Sequence, residues 1–140
     1  MAVMQTPFNE VNGRVSPDGH WIAYQSNESG KAEIYVQSFP PSGNKWKISN
    51  NGGNLPVWRR DGKEVFYGSG ADGGITSVDV QAQKFPNQFT VGIPHLAVRA
   101  VGDDYDVTAD GQRFLINTLP EQVGSAPITV VVNWMAGLQK

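Results

Sequence analysis

Ser16-Pro17-Asp18-Gly19-His20-Trp21-Ile22-Ala23-Tyr24-Gln25-Ser26 reads as a turn feeding a strand. Pro17 sets φ for the turn, and Gly19 supplies the positive φ that a tight hairpin needs. Beyond it, Trp21, Ala23 and Gln25 point to one side and Ile22, Tyr24 and Ser26 to the other. Apolar groups on both sides predict a strand buried on both faces. The same design returns as Arg59-Arg60-Asp61-Gly62-Lys63-Glu64-Val65-Phe66-Tyr67-Gly68-Ser69 and as Thr108-Ala109-Asp110-Gly111-Gln112-Arg113-Phe114-Leu115-Ile116-Asn117-Thr118. A recurrence every ~40–50 residues marks propeller blades or helical arrays.

The segments between the copies decide for the propeller. Strand patterns run from Val11 to Ser16, Glu33 to Phe39 and Lys45 to Ser49, where Trp46 and Ile48 face inward and Lys45 and Lys47 outward. The lysines suit an outer edge, where they discourage pairing with another chain. After the crossing Asn50-Asn51-Gly52-Gly53-Asn54 the pattern restarts: Leu55 to Arg59, Lys63 to Tyr67, Ile75 to Val80 and His95 to Arg99. Gln81 to Pro94, with two prolines, reads as one irregular segment. The third unit has Asp104 to Thr108, Arg113 to Asn117 and Ile128 to Trp134, and lacks a fourth strand. Residues 1–6 form a short strand without a local partner. The expected class is all-β: a β-propeller with three four-stranded antiparallel blades per chain, over 11–49, 55–99 and 104–134, half of a six-bladed ring.

Bulk properties bound the function. At 140 residues there is room for one domain. Eleven basic against thirteen acidic residues, with no basic run, argue against nucleic acid as a partner. The absence of cysteine excludes disulfides, thiolate metal sites and thiol catalysis. No stretch approaches the ~18 apolar residues of a membrane helix and no leader is evident, so no membrane partner is expected and a cytoplasmic location is the default.

The Ser16–Tyr24 segment, Trp58-Arg59-Arg60-Asp61-Gly62-Lys63-Glu64-Val65-Phe66-Tyr67 and the ending Ile128-Thr129-Val130-Val131-Val132-Asn133-Trp134 resemble the TolB-like, WD-repeat-like β-propellers. The likeness is greatest to the C-terminal sensor propellers of some bacterial serine/threonine protein kinases, and it extends over nearly the whole chain. It implies a non-catalytic propeller used for protein or ligand contact, with no cofactor. Two departures stand out: Ala109 replaces the turn proline in the third copy, and Arg59-Arg60 replaces Ser-Pro in the second. Neither removes the Asp-Gly pair.

Such propellers commonly have six blades, whereas this chain has material for three. Rings close with about four to eight blades, and an open half-ring would expose the apolar flanks of two terminal blades. A two-fold homodimer solves both problems, with residues 1–6 of each chain supplying the missing outer strand of the partner's third blade. The alternative is a truncated piece of a longer protein, a structural remnant of a kinase sensor.

Chemical motifs are few. Gly68-Ser69-Gly70-Ala71-Asp72-Gly73 matches G-x-G-x-x-G, but a strand pattern follows where a dinucleotide site needs a helix. It reads as a hairpin turn. His20 and His95 stand apart from any metal-ligand spacing, and no G-x-S-x-G elbow occurs. Asp103, Asp104 and Asp106 form the densest acidic cluster, a solvated blade entrance or a weak cation site, without the glycine and terminal glutamate of a calcium loop. Aligning the copies equates Arg14, Val57 and Asp106, each before a residue expected to pack between blades: Val15, Trp58 and Val107. Arg14, Asp104, Tyr105 and Asp106 are therefore the candidates for a channel-mouth ligand site, or they satisfy one another there. The expected function is a binding or scaffold module contacting a protein, peptide or small ligand. Its rival is an enzyme with a channel-mouth metal or carboxylate site.

Overall fold

The computed structural model describes residues 5–83, 88–100, 104–117 and 128–132. Among these residues every regular element is a strand: β1 (Glu10–Val15), β2 (Trp21–Ser26), β3 (Glu33–Ser38), β4 (Lys45–Lys47), β5 (Asn54–Trp58), β6 (Glu64–Ser69), β7 (Gly74–Gln83), β8 (Gln88–Val91), β9 (His95–Val98), β10 (Asp104–Val107), β11 (Arg113–Asn117) and β12 (Ile128–Val132). All pairings are antiparallel. The first sheet runs β1-β2-β3-β4, the second β5-β6-β7-β8 with β9 also on β7, and the third β10-β11-β12.

The three Asp-Gly turns are built identically. Gly19, Gly62 and Gly111 have φ of 77°, 72° and 73°, the left-handed region that glycine enters without a Cβ penalty. Their N–H groups donate to the carbonyls of Ser16, Arg59 and Thr108 at 2.9, 2.9 and 2.8 Å. Each aspartate accepts from a backbone N–H two residues on, that of His20, Lys63 or Gln112. Each also accepts from the side chain two residues back: Ser16 Oγ, Arg59 Nε or Thr108 Oγ1. This explains why Arg59 can stand where the first copy has serine. Any donor that reaches the carboxylate closes the turn.

Successive sheets pack face to face. Trp21, Ala23, Ile34, Val36 and Ile48 of the first meet Trp58, Val65, Tyr67, Val78, Val80 and Phe89 of the second in one buried cluster. Phe66, Ile75 and Val98 of the second meet Phe114 and Ile116 of the third in another. β2 and β6 are buried on both faces, as the alternation of apolar residues predicts. β1 and β5 share a register irregularity, with Asn12 (φ 57°) and Leu55 (φ 47°) left-handed at the same place in the repeat.

Several expectations need correction. Gln81–Pro94 is only partly irregular: among the described residues β7 continues to Gln83 and pairs with β8 from Val80↔Val91 to Gln83↔Gln88, while its first half pairs with β9. The reason is Phe89, which caps the first core 5.1 Å from Trp21, 5.5 Å from Trp46 and 6.5 Å from Trp58 between ring centres. The fourth strand stops at Lys47, although Ile48 and Ser49 beyond it are buried. Val15 does not pack between sheets. It pairs with Ile22 on the flank away from the second sheet and is 46% exposed. On that same flank Ile22, Tyr24 and Tyr35 are buried within the single chain, with Phe39 against them, so only part of this terminal flank is open. Of the expected strand at residues 1–6, residues 1–4 lie outside the described residues, and Gln5 and Thr6 are exposed and unpaired in any strand. Asp103 and Trp134 also lie outside them.

Candidate functional site

The first strands of the sheets, β1, β5 and β10, lie side by side with β5 in the middle. Two long-range hydrogen bonds stitch them: Trp58 Nε1–H to the Arg14 carbonyl at 2.9 Å, and Tyr105 O–H to the Leu55 carbonyl at 2.8 Å. Trp58 and Tyr105 therefore act as braces between neighbouring sheets.

Asp104 and Asp106 are exposed on β10, and each carboxylate accepts the N–H of the next residue, Tyr105 at 2.9 Å and Val107 at 2.8 Å. Between them Tyr105 turns inward. Burial, followed by the negative charges of Asp104 and Asp106, pushes its phenol well above the usual tyrosine range, and the Arg14 charge opposes this. The four sequence candidates thus share one electrostatic neighbourhood. Asp104, Tyr105 and Asp106 line a cavity of about 330 Å³ with Leu115 and Asn117, whereas Arg14 is exposed on β1 outside that lining. With its hydroxyl committed to Leu55, Tyr105 is a wall of this cavity.

The cavity lies on the open flank of the third sheet. Ala23, Phe66 and Leu115 occupy the same position in the three repeats. Ala23 and Phe66 are fully buried against the following sheet, but Leu115 is 47% exposed, as is its β12 partner Val130 at 58%.

Two buried carboxylates escaped the sequence reading because a glutamate in a strand reads as an outward residue. Glu64 accepts from the Ser77 hydroxyl and from Arg59 Nη1, 2.5 Å away, while Asp61 accepts from Nε and Nη2 of the same guanidinium. Arg59 thereby ties the second Asp-Gly turn to β7. Glu33, fully buried, accepts from the Ser49 hydroxyl and from Gly52 N–H. Between the turns of the first and second sheets opens a larger cleft of about 650 Å³, walled by Trp21 and Trp58 and rimmed by Asp18, Asp61, Lys63 and Asp79.

Gly68–Gly73 spans the end of β6 and its turn into β7, held by Ser69 Oγ–H to Asp72 and Gly73 N–H to the Ser69 carbonyl. No phosphate cradle at a helix start exists there. Among the described residues no group of three or more His, Asp or Glu is placed to hold a metal ion, and no helix is long and apolar enough to cross a membrane.

Antiparallel sheets packed face to face, with their first strands adjacent, define an all-β architecture similar to that of β-propellers. The chain is similar to the crystal structure of TolB from Acinetobacter baumannii, with a TM-score of 0.50 at 15% identity, over 94% of this chain and 45% of that one. At that identity the likeness is one of fold, and this chain spans less than half of TolB's length. No protein-family model matches the chain, and no curated protein matches it in sequence.

Proposed function

We propose that this chain is a non-catalytic propeller module for protein or ligand contact, contributing three blades to a six-bladed ring completed by a second copy. The likeness in fold to TolB supports the contact role. The observation that carries the assembly is Leu115. Its repeat position is fully buried in the first two sheets and 47% exposed in the third, and this exposure supports the packing of a further blade there. The three sheets of the described residues also fall short of the ~four to eight blades that close a ring.

The other end of the chain offers Val15 beside the aromatic flank Ile22, Tyr24 and Tyr35. That flank is already covered in part. The net gain of closure is therefore smaller than two fully open flanks would give. In this assembly residues 1–6 pair with the edge of the partner's β12, which among the described residues pairs only with β11, completing its sheet by strand addition.

Leu115→Asp tests the proposal. A charge at the centre of the seam should convert a dimer to a monomer without changing the strand signature in circular dichroism. A variant as dimeric as the parent would place the seam elsewhere.

A further inference from the structure

At the end of the second sheet opposite its Asp-Gly turn lies a separate cavity mouth, where the Asn50–Gly52 crossing, the β6–β7 turn and residues 93–96 enclose about 230 Å³. Tyr67 and Thr76 line it from paired positions on β6 and β7. Both are buried, at 3% and 4% exposure. The Thr76 hydroxyl has no hydrogen-bond partner among the described residues, a situation that costs ~1–3 kcal/mol when left uncompensated. A polar group lining a cavity at that cost points to something that fills it.

The chemistry of the occupant follows from the surrounding charges. Burial, then the carboxylates of Glu33 and Asp72, raise the Tyr67 phenol to about 12, so the phenol stays neutral. Asp72 stands exposed at the rim, accepting from Ser69. Behind Gly52, Glu33 keeps one oxygen without a hydrogen bond, and Lys31 lies 3.3 Å from it as its ion partner. Asp72 is the one acidic residue in the described lining, while Glu33 behind it is already matched by Lys31, and that unmatched carboxylate of Asp72 favours a cation. The space is smaller than the ~300 Å³ at which sites for drug-sized ligands begin, and suits a single side chain. On the lip Ile93 is 88% exposed, flanked by Pro94 and Leu96, an apolar contact beside a polar socket of the kind found at interface centres.

We propose that this mouth is a socket for one lysine or arginine side chain of a protein partner. The cation pairs with Asp72 and donates to the Thr76 hydroxyl, and the apolar surface around it covers Ile93. The proposal deepens the protein-contact reading and is independent of ring closure.

Titration of the ¹⁵N-labelled full chain with N-acetyl-arginine amide and N-acetyl-lysine amide tests it. Saturable shifts are expected at the amides of Gly52, Asp72, Thr76 and Leu96, and none with N-acetyl-norleucine amide or N-acetyl-glutamate amide. Thr76→Val, which keeps the shape, and Asp72→Asn, at an exposed position, should each weaken binding about tenfold, the equivalent of losing one charge-assisted contact. Should Thr76→Val fail to fold, Asp72→Asn decides alone. Equal shifts with norleucine amide, undiminished binding in the folded variants, or no shifts at all would overturn the proposal. A monomer in light scattering would count against the ring and leave this titration untouched.

Discussion

The indole of Trp58 donates to the carbonyl of Arg14 across 2.9 Å, bonding the first strand of the second sheet to that of the first. Tyr105 repeats the device one sheet on, through its hydroxyl to Leu55. A chain of sheets that share few backbone hydrogen bonds is held in order by two aromatic side chains and the apolar clusters beneath them. Removing one brace should cost a hydrogen bond's net worth. Tyr105→Phe is expected to lower unfolding free energy by about 0.5–1.5 kcal/mol. Trp58→Phe should cost more, since a smaller ring also opens space beside Phe89. Urea midpoints measure both.

Phe89 is the keystone of the first core although it lies on a hairpin extension. It contacts three tryptophans and is 6% exposed. Phe89→Ala should destabilise by about 3–5 kcal/mol and change the tryptophan emission, since Trp21 and Trp46 lose a ring neighbour. A midpoint close to the parent's would mean that the hairpin is dispensable for the core.

Gly19 and Gly111 separate conformational strain from crowding. Both have positive φ, yet a Cβ on Gly19 meets open space while one on Gly111 would stand 2.8 Å from Arg59 Cδ and 3.3 Å from Phe66. Gly19→Ala should cost ~1–2 kcal/mol from the left-handed backbone alone. Gly111→Ala should cost distinctly more, with the excess reduced in an Arg59→Ala background. Thermal unfolding of the parent, the three single variants and the double variant checks the order.

The turn aspartates predict acid sensitivity. Arg59 holds the Asp61 carboxyl below its ordinary value. For Asp18, burial pushes the carboxyl up but is outweighed by the Ser16 and His20 hydrogen bonds and the His20 charge. Asp110 is lowered by Thr108 and the Gln112 N–H. Folded values below unfolded ones mean that the stabilisation is present above the ordinary aspartate value near ~3.9 and is lost as pH falls through the folded values. Stability measured from pH 7 to 2 should therefore drop at the acid end, and Asp61→Asn should flatten part of that drop. Tyr67 works in the opposite direction: its raised value predicts a loss as pH climbs from ~10 to about 12.

Local chemistry was the legible part of this fold. Asp-Gly pairs followed by apolar runs mark their turns and strands without reference to anything distant, so all three copies appear where expected. The β7–β8 hairpin was less legible because two prolines obscured the alternation of Phe89, Thr90 and Val91, which in hindsight is a strand signal. Glu33 and Glu64 could not be placed from sequence: whether a strand glutamate is buried depends on Ser49 and Gly52, or on Ser77 and Arg59, brought near by the fold. Of the candidate site, Asp104, Tyr105 and Asp106 share a cavity, whereas the cavity at Thr76 depends on the pairing of Tyr67 with Thr76 across β6 and β7, which no local sequence pattern reveals.

Sedimentation equilibrium or light scattering on the unmodified chain at micromolar concentration tests the account at its centre, the closure of the Leu115 flank by a second copy. A mass of twice 15.2 kDa, falling toward the single-chain value in Leu115→Asp or after deletion of residues 1–6, is the predicted result. A stable, monodisperse monomer across the concentration range would contradict it.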